Sequence, residues 1–278
     1  MDSALTPGAG GLGRITLHAP GGARADVYAH GAHVTSWVPA GERSDRLFLS
    51  ERSAFRDGAA IRGGVPVIFP QFAHEGPLPR HGFARDRAWA LAGTSGASAT
   101  FHLEDTPETR DVWPHAFRLT LAVTINGRSL VLALTAENTG LTPFAFAAAL
   151  HTYLRVERVE AAVVRGLQGC AYRDSAAGGS RSVQAEPSLS FRGEVDRVYL
   201  GVPGPLDVEE PGRALRVEAA GFPDAVVWNP GAERAAALAD LESGGWARFV
   251  CVEAAAVEVP VQLGPGETWA GTQTLTAL

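Results

Sequence analysis

The stretch FRLTLAVTINGRSLVLALTAE, residues 117–137, decides the fold class. Two runs of alternating apolar and polar residues flank Asn126-Gly127. That dipeptide between alternating runs is the strongest short-range sign of an antiparallel hairpin, because both residues tolerate the positive φ of a tight turn. The same texture continues outward. RITLHAP, ADVYAHGAHVTSWVP, RLFLS and ATFHLED precede the hairpin, and FAFAAALHTYLRV, AAVVRGL, DRVYLGV, ALRVEAAG, AVVWNPG, ARFVCVEAA and TWAGTQTLTAL follow it. All read as strands, rich in Val, Leu, Thr, Phe and Trp and mostly bounded by Gly, Pro, Asn or Asp. Helical signals are weak: Ala232–Leu241 supports a turn or two, and Ser53–Gly58 another. The expectation is an all-β protein of antiparallel sheets packed face to face, a sandwich or a barrel. No repeat or composition break marks a linker, so residues 1–278 are read as a single domain.

Composition narrows the function. With 278 residues, 46% of them hydrophobic, the chain can bury a large core. The formal net charge of −6 argues against nucleic acid as a partner. Lysine is absent, which removes Schiff-base and lysine general-base chemistry. Cys170 and Cys251 form no CxxC or His/Cys cluster, so neither a zinc site nor a disulfide framework is expected. MDSALTPGAGGLGR lacks the pattern of a signal peptide, and no apolar run approaches a membrane span. These features lead to the expectation of a cytoplasmic protein with no membrane partner.

Residues 61–89, IRGGVPVIFPQFAHEGPLPRHGFARDRAW, concentrate the chemistry. Arg62, Arg80, His81 and Arg85 sit among glycines, prolines and aromatics in an otherwise acidic chain. Taken singly, each arginine also fits a solvated surface charge. Together, on a stiffened loop, guanidinium groups beside aromatic rings suit a small anion with an apolar face, such as a sugar phosphate. Within AFAAALHTYLRV, period-two alternation puts Ala149, His151, Tyr153 and Arg155 on one face, and Leu150, Thr152, Leu154 and Val156 on the other. His151 is therefore either a cleft residue or a hydrogen-bonded structural histidine. Phe249, Cys251 and Glu253 share a face of ARFVCVEAA. Glu253 is either an exposed strand end or a desolvated carboxylate suited to general base work. Asp196 could bind hydroxyls or simply start a strand. Trp228 could stack on a sugar or fill the core. Cys251 reads as a small buried hydrophobe.

In order, IRGGVPVIFPQF, LPRHGFARDRAW, ALHTYLRV, VDRVY, VVWNP, FVCVEAA and the closing LGPGETW resemble the aldose 1-epimerase superfamily, in its hexose-6-phosphate mutarotase branch. The resemblance implies a galactose-mutarotase-like supersandwich with His151 and Glu253 catalytic. It implies sugar-phosphate contacts at Arg62, Arg80, Arg85 and Asp196, with His81 in the same motif as a further sugar contact; Trp228 is added as a sugar contact from its own side chain. The implied reaction interconverts the anomers of a hexose 6-phosphate, glucose 6-phosphate foremost, with no cofactor or metal. The implied partner is a small-molecule sugar phosphate, and the chain is expected to act as a monomer. The alternatives are a non-catalytic carbohydrate-binding β-sandwich and an epimerase for unphosphorylated aldoses. The phosphate reading requires Arg62 and Arg85 to face the cleft of His151 and Glu253. Two departures stand out: GAERAAALADLESGGW follows WNP where relatives often carry an aromatic and a lysine, and EAAAVEVPVQL lacks an Asn often seen after the glutamate.

Overall fold

The computed structural model describes residues 4–278. Met1–Ser3, the start of the stretch read as lacking a signal peptide, lie outside the described residues. The hairpin forms as expected, between Phe117–Asn126 and Ser129–Asn138. Its alternation sends Phe117, Leu119, Leu121, Val123 and Ile125 inward, with Leu130, Leu132, Leu134 and Ala136 beside them. The turn falls one residue later than Asn-Gly centring predicts. Asn126 pairs with Ser129 in the ladder, leaving Gly127 and Arg128 as the loop. Gly127 takes the positive φ of 55°, the chemistry of a hairpin with glycine at its first central position. The Arg128 guanidinium then ties the turn to the carbonyls of Ala277 and Leu278.

This hairpin lies in a nine-stranded antiparallel sheet that also contains Thr268–Ala277 and Arg213–Ala220. Facing it is an eight-stranded sheet. From one edge to the other its main path runs Ser180–Val183, Ala171–Asp174, Val195–Tyr199, Asp224–Asn229, Phe249–Leu263, Phe144–Leu150, Val67–Ile68, with Tyr153–Arg155 also paired to Phe249–Leu263. Leu150, Leu154, Val227, Val250, Val252 and Ala254 point from it into the same core as the hairpin's apolar face. Burying each such side chain contributes about 1.5–3 kcal/mol, so the layer between the sheets dominates stability. A four-stranded sheet, Thr6–Pro7 through His33–Val38, adds Ile15, Leu17, Val27 and Val34 to that core.

The fold is therefore all-β, as expected. Some local readings change. Ser53–Gly58 forms turns and no helix, while Gly231–Ala235 does form a short one. RLFLS makes only isolated bridges, Leu47 with Leu154 and Leu49 with Gly63. ADVYAHGAHVTSWVP divides into Ala23–Tyr28 and His33–Val38, reversing through Gly31 and Ala32, both at positive φ. Asp196 lies inside a strand, paired with Trp228, and not before it.

Candidate active site

The outer face of the eight-stranded sheet carries the site. Phe144–Leu150 pairs with Phe249–Leu263 at Leu150–Ala254, and pairing resumes at Tyr153–Cys251. The same register carried through the break sets His151 opposite Glu253. Directly opposed residues on one face are the closest cross-strand neighbours a sheet provides. Accordingly His151 Nδ1 lies 3.2 Å from Glu253 Oε1, with both side chains buried. The pair is close but not aligned as a hydrogen bond: Nδ1 has no hydrogen-bond partner, and neither has Glu253 Oε2. His151 N–H donates to the Pro66 carbonyl (3.0 Å), in register with Val67–Ile68, and the break comes at Thr152, whose N–H turns back to the Leu150 carbonyl (2.9 Å). Beyond the break, Tyr153 stacks on the imidazole at 4.8 Å between centroids and 10° between planes.

Residues 61–66 are held beside this strand by their glycines. Gly63 and Gly64 have φ of 110° and 59°, and a Cβ at Gly64 would lie 2.2 Å from the Val34 carbonyl oxygen. Buried His33 donates from Nε2 to the Gly63 carbonyl (2.8 Å). Burial first, then the charges of His30 and Arg85, push that imidazole down to about 3 despite the hydrogen bond. It is a neutral structural staple. Arg62, next along, donates to the Tyr153 hydroxyl (2.9 Å) and pairs with Asp240 (3.0 Å).

Residues 73–81 return on themselves as an Ω-loop. Ala73 and His81 bond reciprocally: His81 N–H donates to the Ala73 carbonyl, and Ala73 N–H donates to His81 Nδ1. Because Nδ1 accepts, the neutral imidazole of His81 keeps its proton on Nε2, where it can donate. Burial, then the charges of His151, Arg85 and Arg80, hold His81 far below its ordinary value, so it is neutral.

Between this loop and the sheet lies a cavity of about 310 Å³. Arg80, His81, His151, Asp196, Trp228 and Glu253 line it, together with residues without an obvious sequence signal, among them Ser175 and Arg234. Arg62 and Arg85 are not part of its wall, so the placement that the phosphate reading required of them is not met; of the arginines in residues 61–89, Arg80 alone lines the cavity. They act on it by charge: after burial, Arg62, Arg85 and Arg80 lower His151 well below the ordinary imidazole range. Burial first, then the charge of Asp196, push Glu253 well above the ordinary carboxylate range, against the pull of Arg80 and Arg85. Burial also raises Asp196. Four buried polar atoms of the residues that line it have no partner: Arg80 Nε, His151 Nδ1, Trp228 Nε1 and Glu253 Oε2. Groups left so exceptionally unpaired are available to a polar ligand.

Trp228 combines its two readings, buried edge-on to His151 at 5.7 Å and still on the cavity wall. Cys251 is buried among Tyr153, Trp228 and Phe249, and burial raises its thiol well above the ordinary value. Tyr153 was visible on the His151 face through alternation. Asp240, its partner Arg62's counter-ion, had no local signal.

The family model for aldose 1-epimerase matches residues 13–276. The chain belongs to the aldose 1-epimerase family. It is 35% identical over 96% of its length to a Cenchrus ciliaris protein, of which it covers 85%, and 36% identical over 84% to one from Escherichia coli K12, of which it covers 79%. Both carry the description "putative glucose-6-phosphate 1-epimerase". The crystal structure of YeaD from Salmonella typhimurium, described as a "putative mutarotase", superimposes with a TM-score of 0.87 at 29% identity, covering 98% of this chain and 96% of that one. A galactose mutarotase-like protein from Lactobacillus casei shares the fold, with a TM-score of 0.78 at 17% identity. As a member of this family the protein is an isomerase with aldose 1-epimerase (mutarotase) activity. No helix among the described residues is long and apolar enough to cross a membrane.

Proposed function

We propose that the protein interconverts the α and β anomers of a hexose 6-phosphate, with glucose 6-phosphate the foremost substrate. One observation carries the phosphate reading. Among the described residues, Arg80 and Arg85 have no carboxylate partner, whereas most other buried or half-buried arginines of the chain do. Arg85 donates only to the Arg80 carbonyl (2.9 Å), which keeps the two side by side. Unneutralised guanidinium groups held in a partly desolvated setting favour a dianion.

In the proposed chemistry Glu253 takes the proton of the anomeric hydroxyl while His151 protonates the ring oxygen. The ring opens to the aldehyde, the C1–C2 bond rotates, and closure on the other face reverses the roles. The raised Glu253 carboxyl is a stronger base than an exposed one. The lowered His151 makes a stronger acid once protonated, and the arginine field that lowers it is offset when a phosphate dianion binds. Substrate binding thereby eases protonation of the group that must supply a proton. In this reading His81 and Asp196, which line the cavity, bind sugar hydroxyls, and Trp228 lies against the ring.

A second reading, an epimerase of unphosphorylated aldoses, is favoured by Arg62 already being paired with Asp240 and by Arg62 and Arg85 standing outside the cavity wall. Exchange NMR of anomer interconversion separates the two. Wild type should act faster on glucose 6-phosphate than on glucose, and Arg85→Ala should lose most of that preference. Equal rates on both sugars in both proteins would remove the phosphate.

A further inference from the structure

The Ω-loop that carries Arg80 and His81 into the cavity crosses the sheet from one side to the other. It leaves the sheet at Val67–Ile68, one edge strand of the eight-stranded sheet. Its tip meets Ala171–Asp174, the strand next to the opposite edge: Glu75 Oε1 lies 2.7 Å from Arg173 Nη2. Four strands separate these two positions, which is about 24 Å along the sheet. On the way Phe72 joins a buried cluster with Val198, Val226 and Ala255, from three of the sheet's strands.

Inside, the loop is a rigid unit. The buried Gln71 amide accepts from Leu78 N–H (2.9 Å) and donates to the carbonyls of Leu78 and Ala73. A side chain at Gly76 would strike Gln71, so the tip wraps the amide closely. Among the described residues, Glu75–Arg173 is the one ion pair between residues 71–81 and the rest of the chain. Glu258 stands 3.6 Å from Arg173 Nε and also pairs with Arg181, which fixes the far anchor.

We propose that Glu75 and Arg173 are positioning residues, whose ion pair clasps the loop across the cavity and so sets Arg80 and His81 over the bound sugar. The inference rests on that cavity being the sugar site. Arg173 is not among the residues that line the cavity, whereas Glu75 is, so the Arg173 variant and the double variant carry the test of a positioning role. The pair shifts the loop between a clasped, binding-competent arrangement and a released one, and apparent affinity scales with the clasped fraction. As a half-exposed pair its effect is modest and screened by salt.

The test is a double-mutant cycle on the full chain: Glu75→Gln, Arg173→Gln and both together. NMR exchange kinetics are run on glucose 6-phosphate and on glucose, with backbone hydrogen exchange of residues 73–82. Each single variant should raise KM about two- to fivefold with little change in kcat, and the double should match the singles. Exchange in the loop should speed up in each variant, while the thermal midpoint stays within a few degrees of wild type. With uncharged glucose as substrate, about 0.5 M salt should raise the wild-type KM and speed exchange in its loop. Unchanged KM and loop exchange, or additive effects in the double variant, would overturn the clasp. The salt arm uses only wild type, so it stands even where a variant folds poorly. If glucose proves as good a substrate as its phosphate, the phosphate reading falls, and the clasp is still decided by the KM for glucose and by the loop exchange.

Discussion

The opposed His151 and Glu253 form a buried pair that neither sheet packing nor solvation accounts for. What separates His151 from the structural His33 is its place: its unpartnered Nδ1 lies beside a buried carboxylate on a cavity wall, whereas His33 is tied through Nε2 to the Gly63 carbonyl. The shifts oppose each other, imidazole down and carboxyl up, and both trace first to burial. Opposite displacement of two neighbouring titratable groups on one cavity wall marks both as candidates for proton transfer. Glu253→Gln and His151→Asn should therefore each slow enzymatic anomer exchange by about 10²–10⁴-fold while the circular dichroism spectrum is retained. Enzymatic rates within threefold of wild type for either variant would exclude that group from proton transfer. Cys251, on the same face, is walled in by three aromatic rings. A disulfide-exchange reagent should label it only on unfolding, and rapid native labelling would show the packing to be looser than described.

At the level of elements, rigidity comes from backbone positions where a side chain has no room. Gly64 sits at φ 59° with a virtual Cβ 2.2 Å from Val34 O and 2.8 Å from His33 Nε2, whereas Gly127 at φ 55° meets nothing within 4 Å. The two glycines share a positive φ and differ in surroundings. Gly127→Ala should cost about 1 kcal/mol, the conformational penalty alone, and Gly64→Ala roughly 3 kcal/mol or more, as strain and clash add. Urea midpoints of the two variants decide it, and equal losses would contradict the close approach at Gly64. This contrast also marks how far residues can be read in one dimension. The hairpin, the strand faces of Tyr153 and Cys251, and the lack of long helices follow from alternation, which is local. That His151 lies opposite Glu253 does not, because register between distant strands depends on pairings set along the whole sheet. Ser53–Gly58 looked helical by local propensity but is drawn into turns, where Ser53 Oγ donates to the Arg62 carbonyl. The clasp and the Arg62–Asp240 pair are tertiary throughout.

At the scale of the whole molecule, His33 joins the four-stranded sheet to the segment that carries Arg62, so its protonation reports on how the layers are fastened. Its imidazole is held down to about 3, whereas in the unfolded chain it titrates near 6.5. Between those values the unfolded chain binds a proton that the folded one refuses. Stability from this residue is thus full above about pH 6.5 and falls as the pH drops toward 3, by about 1.4 kcal/mol per unit once the unfolded imidazole is charged. Glu253, Asp196, Asp45 and Asp86 oppose this, since burial raises each. Folded carboxyls of that kind hold protons the unfolded chain has released, and their contribution grows as the pH falls through their folded values. The net slope of wild type mixes both, so the informative quantity is a difference. His33→Gln keeps a donor for the Gly63 carbonyl and removes the titration. The variant should be less stable than wild type at pH 7, and the gap should shrink by about 2 kcal/mol by pH 5 as wild type alone loses ground. Urea unfolding at intervals from pH 7 to 5 measures it, and parallel curves would mean that His33 accepts its proton without disturbing the fold.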